Sequence, residues 1–478
     1  MLKNLKRTIS AITASALLLS CAYAQEGGAT LVNIDENTLK SSDIVCQDGG
    51  KLTKNGDMYE KKSSYAGTED NKTLVNFGKM DKNAVINMDM KFDFTDKTGG
   101  MSAFDGFQLR ASTQDKACWT TDCYVVIIRE KSVEIQVFAK GGGKFLLNRT
   151  CEIPKDKKVN VKTGAIDTDE GVYVFVKIDD QVFSAVDEKS LIKDGGYFNL
   201  EWRSNLMMYP ASDDSYIIPK AAAEYDVESN TVKASVDFIS DGKTQNTETK
   251  YEWYISNGDF KNPQKTITNM EETFTKIDGE ENDTLAVMNE DIGKYVYVTA
   301  ITDGVKTASQ FVYISTSEYL KKNAFIACVG YTGAIAKGES FVLDKENPKV
   351  YPDVAKDGYV YLPIRAVAEA YKMPVSWDGD IQKISIIARP DSTAPDTEFR
   401  IGYQGFIILR ALMGSSMPGT PYISEGRTFL DTSATMQILA YNYEFYDEQS
   451  GLIILSNIKP DLSKQEISDL AYDISEIK

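Results

Sequence analysis

Apolar and polar residues alternate with a period of two through much of the first half of the chain. Such alternation is typical of β-strands that bury one face in a core. Glycine and aspartate residues separate the runs, as expected for tight turns between antiparallel strands. Helical periodicity is almost absent, so the pattern predicts a β-sandwich of short strands. The predicted strands cover residues 85–94, 106–110, 124–128, 133–138, 172–178, 181–183 and 197–202.

The end of this region has a distinctive order of elements. The strand VYVFVKI is followed by an acidic turn, the short return strand QVFSAV and then GGYFNLEW. This order resembles the closing half of a laminin-G or concanavalin A-like jelly roll. The resemblance implies a jelly-roll sandwich over residues 30–212.

Residues 222–316 form a second predicted β unit. Trp253 lies in the strand KYEWYI, and the segment DIGKYVYV follows downstream. A D-x-G-x-Y element with an upstream tryptophan resembles an immunoglobulin-like domain of bacterial surface proteins. The resemblance implies a second sandwich in which Trp253 fills the core rather than serving as a ligand platform.

Residues 324–458 contain an internal repeat. Residues 358–387 align without gaps on residues 426–455, and each copy predicts a strand, a helix and two further strands. The element LPIRAVAEA followed by VSWD resembles the copper amine oxidase N-terminal domain, a stalk module of secreted Gram-positive proteins. The resemblance implies a duplicated α+β module. Pro363 suits the first helical position of the first copy, whereas the second copy has Asp431 there.

The last segment, residues 459–478, has the pattern of a terminal helix. Ser463 and Glu466 form a capping box, and apolar residues follow at helical spacing. The predicted fold class is therefore multi-domain and mainly β: a jelly-roll sandwich, an immunoglobulin-like sandwich and a duplicated α+β module.

The chain has 478 residues and no histidine. This excludes Ser/His/Asp and Cys/His catalysis and any zinc, copper or haem site built on histidine. The copper ligands of the oxidases are histidines of a separate catalytic domain, so the resemblance carries no copper chemistry. The sequence predicts a non-enzymatic protein with no catalytic residue, no metal site and no cofactor. Calcium is the exception, as an alternative to a solvated loop at Asp167, Asp169 and Glu170.

Residues 1–24 have the pattern of a secretory signal peptide. Basic residues at positions 3, 6 and 7 precede an apolar run, and AYA at 22–24 is an A-x-A cleavage site. The run is shorter than the roughly 20 residues of a membrane span. The sequence predicts a secreted, extracellular or cell-surface protein without a membrane span. The segment LLSC resembles a lipobox, so lipidation of Cys21 is the alternative to free secretion.

The formal net charge is −17. Removal of residues 1–24 takes away three basic residues, which leaves 50 Lys and Arg against 70 Asp and Glu, a net charge of −20. Such a chain is repelled by nucleic acid and by anionic membranes. The predicted partner is therefore a glycan or cell-wall polymer, not a nucleic acid.

The polar stretch TQDKACWTTDCY holds the predicted binding residues. Exposed aromatic rings stack on sugar faces, and a polar loop does not favour a buried tryptophan. We therefore predict that Trp119 and Tyr124 contact the ligand. Cys118 and Cys123 predict a disulfide that staples the loop in an exported protein, and unpaired thiols are the alternative.

These features predict a modular surface protein whose N-terminal sandwich recognises a glycan while the other modules space, dock or attach it. Two other classes of function stay open. One is a polysaccharide-active hydrolase or lyase that works without histidine, and the other is a purely structural surface assembly subunit.

Overall fold

The protein has a mainly β fold that divides into two compact units. The first unit contains the chain up to Asp226 together with Asn230–Val287 and Lys294–Tyr313. The second contains Val227–Ser229, Met288–Gly293 and Ile314–Lys478. The computed structural model describes residues 29–40, 45–46, 52–60, 73–94, 104–155, 157–202, 204, 206–213, 216–240, 248–257, 273–387, 396–408 and 413–478.

The first unit opens with a region of short strands and one short helix, α1 (Glu36–Lys40). Most of its strands have alternating apolar positions, as the sequence pattern predicts. The strands are β1 (Thr30–Asn33), β2 (Val45–Cys46), β3 (Thr53–Asn55), β4 (Met58–Glu60), β5 (Thr73–Met80), β6 (Ala84–Lys91), β7 (Asp105–Ala111), β8 (Cys123–Arg129), β9 (Ser132–Ala139), β10 (Gly142–Thr150), β11 (Val159–Thr168), β12 (Gly171–Ile178), β13 (Gln181–Asp187), β14 (Gly196–Trp202) and β15 (Met207–Tyr209).

Two sheets in this region share one apolar core. The first is a seven-stranded sheet in the order β10-β9-β8-β7-β14-β5-β2. The second runs β13-β12-β11-β6-β15-β4-β3, with β1 parallel to β6. Because successive side chains of a strand point to opposite faces, alternate residues of β7 and β8 enter the core while their neighbours point away from it. The core residues of these two strands are Phe107, Leu109, Tyr124, Val126 and Ile128.

The rest of the first unit contains a second pair of sheets. One has the order β16-β17-β20, and the other has β19-β18-β21-β22 with β23 on β21. Trp253 is completely buried, and its indole Nε1 donates a 2.8 Å hydrogen bond to the carbonyl oxygen of Asn282. This confirms the predicted core position of Trp253. The strands are β16 (Ile217–Asp226), β17 (Thr231–Ser240), β18 (Thr249–Ser256), β19 (Phe274–Lys276), β20 (Thr284–Ala286), β21 (Tyr295–Thr302), β22 (Val305–Ala308) and β23 (Val312–Tyr313).

One sheet runs continuously through both parts of the first unit. Strands β13 and β22 pair in parallel, and this pairing joins their sheets into a single 13-stranded sheet. Beside the junction, the buried Arg149 donates a 3.0 Å hydrogen bond from Nη2 to the carbonyl oxygen of Ser309. Its guanidinium also lies 4.2 Å from the ring centroid of Phe311. Sheet pairing and a buried cation therefore fix the two sandwiches to one another.

The long segment of the second unit begins with helix α2 (Thr316–Asn323), and its described residues then form short strands and three further helices. These helices are α3 (Ile364–Ala370), α4 (Thr432–Leu439) and α5 (Lys464–Glu476). The strands are β24 (Phe325–Cys328), β25 (Gly333–Ala336), β26 (Glu339–Val342), β27 (Asp353–Val354), β28 (Val360–Pro363), β29 (Val375–Asp378), β30 (Lys383–Ile386), β31 (Thr397–Arg400), β32 (Gly405–Ile408), β33 (Met413–Ser416), β34 (Tyr422–Ser424), β35 (Arg427–Asp431), β36 (Tyr443–Asp447) and β37 (Leu452–Ser456).

The internal repeat appears as two copies of one arrangement. The first copy is β28-α3-β29-β30 and the second is β35-α4-β36-β37. The two opening strands, β28 and β35, pair with each other in antiparallel fashion. The closing strand β30 pairs with β31, and the closing strand β37 pairs with β24. The predicted duplicated α+β module is confirmed, and the pairing of β28 with β35 joins its two copies.

The two repeat helices begin in different ways. Asp431 caps α4, because its carboxylate accepts a 2.9 Å hydrogen bond from the backbone N–H of Ala434. Helix α3 begins at Ile364, so the prediction of Pro363 as its first residue is one position early. The reason is that Pro363 has extended backbone angles and pairs with Phe429 in the sheet. A capping aspartate in the second copy thus replaces the proline of the first.

The C-terminal helix α5 packs on a sheet of the second unit. Ser463 and Glu466 form the predicted capping box at its start. Leu470 and Ile474 are buried in a cluster with Ile326 of β24. The helix therefore completes the core over the sheet that β24 and β37 share.

Candidate functional site

The candidate site lies on the face of the seven-stranded sheet that points away from the apolar core. Strands β14, β7 and β5 are neighbours there, and each places polar side chains on this face between core residues. Leu200 enters the core, for example, whereas Asn199 and Glu201 on either side of it point away. The outer face consequently carries polar groups within the sheet, on three strands that each have a neighbouring strand on both sides.

Four of these polar side chains form a continuous buried row. The Asn76 amide donates to the Oδ1 of Asn199, and the Asn199 amide donates to the Oε1 of Gln108 over 2.8 Å. The Gln108 amide then donates to the Oε2 of Glu201 over 2.9 Å. All four residues are almost completely buried. Buried polar groups need such partners, and a satisfied network of this kind holds its strands in one register.

The loop of residues 112–122 covers the row and shares its hydrogen bonds. The carbonyl oxygen of Thr113 accepts a 3.1 Å bond from the Asn199 amide. The carbonyl oxygen of Lys116 accepts a 3.2 Å bond from the Gln108 amide. The buried row therefore anchors the loop to the sheet.

Trp119 stands on the tip of this loop, in a 3-10 turn formed by Cys118–Thr120. The backbone N–H of Cys118 donates a 3.2 Å hydrogen bond to the Oε2 of Glu201, which ties the turn to the sheet. At the base of the loop, the N–H of Ser112 donates to the carbonyl oxygen of Asp122 over 2.9 Å. The turn lies close to strand β9. The tryptophan side chain is 39% exposed, so a fixed backbone presents it to solvent.

Two phenylalanines belong to the same face. Phe145 of β10 is exposed and pairs with Gln136 of β9, whereas Phe138 of β9 is half-buried and pairs with Gly143. A Cβ added at Gly143 would lie 2.6 Å from the Phe138 ring, so the glycine gives that ring room to lie across β10. We call Trp119, Phe138 and Phe145 the aromatic patch.

Polar groups border the aromatic patch. The Gln136 amide donates a 2.9 Å hydrogen bond to Oε2 of Glu134, and Nε of Arg129 donates to Oε1 of the same carboxylate over 3.0 Å. Gln136 is buried, so Arg129 and Glu134 form the accessible part of this border, and their ion pair leaves it with little net charge. Stacking surface beside fixed polar groups is the combination that sugars require.

Tyr124, the second predicted binding residue, is completely buried. Strand β8 begins at Cys123, and the alternation of the strand turns Tyr124 inward with Val126. Its hydroxyl donates a 2.8 Å hydrogen bond to the Oδ2 of Asp187, and burial followed by this bond raises the pKa of the phenol well above its usual range. Its ring cannot stack on a ligand from solution, which corrects the prediction for this residue.

Cys118 and Cys123 are buried thiols in the structure rather than the predicted disulfide. The Sγ of Cys123 donates to the carbonyl oxygen of Cys118 over 3.6 Å. Burial, and then the neighbouring Cys118, raises the pKa of the Cys123 thiol well above its ordinary value. Hydrogen bonds to the sheet hold the loop in place of a covalent staple. Cys21, the candidate for lipidation, lies outside the described residues.

The carboxylates considered for calcium take part in ion pairs. Asp167 binds Lys82 over 2.7 Å and Arg110 over 2.8 Å, and Glu170 binds Lys220 over 2.7 Å. Burial works to raise the pKa of Asp167, but the hydrogen bonds from Lys82 and Arg110 lower it overall. Within the described ranges, no group of three or more cysteine and carboxylate side chains is arranged to hold a metal ion.

No helix in the part of the chain that the structure describes has the length and apolar character of a membrane span.

The sequence predictions missed the buried row and the two phenylalanines. Each strand of the row has a polar residue between core residues, as in LVNF, GFQLR and YFNLEW. The order β7-β14-β5, which brings these residues together, joins strands distant in sequence. The period-two pattern therefore indicates polar residues on one face of each strand, but it does not show that these residues meet in one row.

Comparison with known families matches residues 342–455 to the copper amine oxidase N-terminal domain. This match confirms the predicted resemblance of the duplicated module. No curated protein matches the chain. Among solved structures, the carbohydrate binding module CBM66 from Bacillus subtilis aligns with a TM-score of 0.27 and 15% identity, over 36% of this chain and 95% of that chain. A TM-score this low supports no conclusion about the present chain.

Proposed function

We propose that this protein is an exported, non-enzymatic surface protein that recognises a glycan through the aromatic patch of its N-terminal sandwich. The observation that carries the proposal is the exposure of Trp119 on a turn fixed to the sheet. The part of Trp119 that stays exposed, 39% of its surface, gains no stability from burial in the folded protein. A binding role accounts for a ring held out into solvent.

The chemistry of the patch favours a saccharide with apolar ring faces. Trp119 and Phe145 supply exposed aromatic surface, and the half-buried Glu134 carboxylate, which the buried Gln136 holds in place, supplies a fixed hydrogen-bonding group beside it. Such pairs of stacking and polar contacts orient sugars in concave sites. The net charge of −20 after removal of residues 1–24 disfavours anionic polymers.

The loop is organised for binding before the ligand arrives. Its turn is anchored by the bond from Cys118 to Glu201, and its body by the carbonyl groups of Thr113 and Lys116. Ordering a loop on binding costs free energy, and a loop that is already fixed avoids this cost.

Retention of the full mature chain on insoluble cellulose, chitin, xylan and peptidoglycan tests the proposal. We expect retention on at least one uncharged polymer, with strong loss for Trp119→Ala and partial loss for Phe145→Ala. Phe238→Ala is the matched control, since Phe238 is an equally exposed aromatic residue of the same unit, on β17. Absence of retention on every polymer would contradict the recognition proposal.

The same panel separates the other classes of function. Release of reducing sugar from a retained polymer would identify a polysaccharide-active enzyme. Concentration-dependent self-association, measured by sedimentation in the absence of any retention, would identify a structural assembly subunit.

Export rests on the pattern of residues 1–24 and is tested by mass spectrometry of the mature protein. A mature chain that starts at Gln25 supports free secretion. A lipid-modified chain that starts at Cys21 supports surface anchoring by lipid, and a chain that retains residues 1–24 contradicts export.

A further inference from the structure

The duplicated module contains a second repeated feature that lies outside the gapless alignment. The segment VGYTGAI, residues 329–335, corresponds to IGYQGFI, residues 401–407, at an offset of 72 residues. Each segment forms the turn of a hairpin, between β24 and β25 in the first copy and between β31 and β32 in the second. We call them the two Gly-Tyr hairpins, after Gly330-Tyr331 and Gly402-Tyr403.

The same backbone hydrogen bonds hold both hairpins. In each, the glycine N–H donates to a proline carbonyl, the tyrosine N–H donates within the turn, and the next residue accepts from a downstream strand end. The matching bonds are Gly330 to Pro352 and Gly402 to Pro421, both 2.9 Å; Tyr331 to Cys328 (3.1 Å) and Tyr403 to Arg400 (3.4 Å); and Leu343 to Thr332 (2.8 Å) and Met417 to Gln404 (3.2 Å). The two tips therefore share the same pattern of backbone hydrogen bonds.

The geometry of the turn requires a glycine at the first of these positions but does not require a tyrosine at the second. Gly330 and Gly402 have φ angles of +80° and +79°, a left-handed conformation that favours glycine. Tyr331 is 45% exposed and Tyr403 is 66% exposed. Any polar residue would serve the turn at these two positions, so an exposed aromatic ring in both copies needs a reason other than folding.

Each tip lies beside an exposed polar turn of the module. The N–H of Val329 donates to the carbonyl of Gly451 over 2.9 Å, and the N–H of Ile401 donates to the carbonyl of Gln382 over 3.1 Å. These bonds place the first tip next to the turn that carries Glu448 and Gln449, and the second next to the turn that carries Asp380 and Gln382. An aromatic ring beside carboxylate and amide groups is suited to stacking on a sugar and to accepting bonds from its hydroxyls.

We propose that the duplicated module carries two equivalent saccharide subsites, one at each Gly-Tyr hairpin, which together bind an uncharged polysaccharide. The net charge of −20 after removal of residues 1–24 disfavours polyanions. A polymer presents the same sugar face many times, so it can engage two equivalent sites at once, and the gain from double attachment can reach about 100-fold. The module then binds ligand in its own right instead of only spacing the sandwich.

The test uses the full mature chain with Trp119→Ala, so that retention through the aromatic patch is removed. We expect residual retention on insoluble cellulose or chitin and none on polygalacturonate. Adding Tyr331→Ala or Tyr403→Ala reduces the residual partition constant about tenfold or more, and the double variant abolishes it. Tyr472→Ala is the matched control, because Tyr472 is 64% exposed on α5 and lies on neither tip.

The outcomes separate this proposal from the one for the aromatic patch. If the Trp119→Ala chain is not retained at all, or if its retention survives the double tyrosine variant, the subsites are refuted while the patch stands. If Trp119→Ala changes nothing and the double variant alone removes retention, the patch is refuted and the subsites stand. Equal losses for Tyr472→Ala and the tip variants would also overturn the subsites, because the effect would then not be specific to the tips.

Discussion

The backbone N–H of Cys118 donates a hydrogen bond to the Glu201 carboxylate over 3.2 Å, although 83 residues separate them along the chain. Glu201 belongs to β14, which lies between β7 and β5 in the seven-stranded sheet, whereas Cys118 opens the turn that carries Trp119. The exposed indole thus depends on a buried carboxylate for its position. The stability of the sheet and the geometry of the candidate site are therefore coupled.

Replacement of Glu201 by alanine should destabilise the protein and loosen the Trp119 turn. The change leaves the Gln108 amide and the Cys118 N–H without their buried acceptor, which costs about 1–3 kcal/mol. Urea unfolding measures the free energy of unfolding. Retention on the bound polymer shows whether the turn still holds Trp119 in position. Glu201→Gln keeps an acceptor oxygen and should lose less of both. Equal effects of the two substitutions would show that the hydrogen bonds do not hold the turn.

Tyr124→Phe should reduce stability without reducing retention on a polymer. The Tyr124 hydroxyl is a donor to the buried Asp187, which also accepts a 2.9 Å bond from the N–H of Leu191. Removal of one donor from a buried carboxylate costs about 1–3 kcal/mol. A variant that unfolds at lower urea but binds as well as the wild type supports the buried role. If Tyr124→Phe loses retention but keeps its stability, Tyr124 contributes to binding and its purely structural role is wrong.

Asp105 should make the stability of the protein fall as the pH rises from the acid range to neutrality. Burial raises the pKa of this carboxyl to about 7, Ser204 opposes the shift with a 2.6 Å hydrogen bond, and Asp93 adds to it. The protonated form is favoured in the folded state, so its stabilisation is complete below the unfolded pKa of 3.8 and is lost as the pH rises through about 7. Between pH 3.8 and about 7 each pH unit therefore costs about 1.4 kcal/mol, and above about 7 this group no longer changes the stability.

The measurement for Asp105 is the urea midpoint at pH 5.5 and pH 8.5. Asp105→Asn resembles the protonated acid and should remove most of the difference between the two midpoints. A wild type and a variant with the same pH dependence would show that Asp105 is not the responsible group.

Arg149→Met should weaken the junction between the two parts of the first unit. The substitution keeps an apolar stem but removes the bond to Ser309 and the guanidinium contact with Phe311. We expect faster hydrogen exchange of the β22 amides, since β22 joins the two sheets. Arg129→Met is the control, because Arg129 also contacts a ring, that of Phe104, but lies away from β22. Unchanged exchange in β22 would rule out a role for Arg149 at the junction.

Patterns within one segment were the predictable part of this fold. Alternation identified the strands, Trp253 was recognised as a core residue, and the repeat of residues 358–387 identified the α+β module. Each depends on neighbours in sequence or on a gapless alignment. The Gly-Tyr hairpins escaped notice because their offset of 72 residues differs from the offset of 68 in the gapless stretch.

Contacts between distant strands were not predictable. The polar row needs β7, β14 and β5 side by side, and the 13-stranded sheet needs β13 beside β22. Tyr124 was misplaced for a related reason. Strand β8 is apolar at every position from Tyr124 to Ile128, so its sequence has no alternation that shows which set of side chains faces the core.

The most direct test of the account is the ratio of partition constants for the wild-type chain and Trp119→Ala on the polymer that retains the wild type. We predict a loss of about tenfold or more for Trp119→Ala, as for an aromatic residue at the centre of a binding site. Phe238→Ala should change the constant by less than about twofold, since it lies on β17 outside the patch. A Trp119→Ala chain that binds as tightly as the wild type would contradict glycan recognition by the aromatic patch.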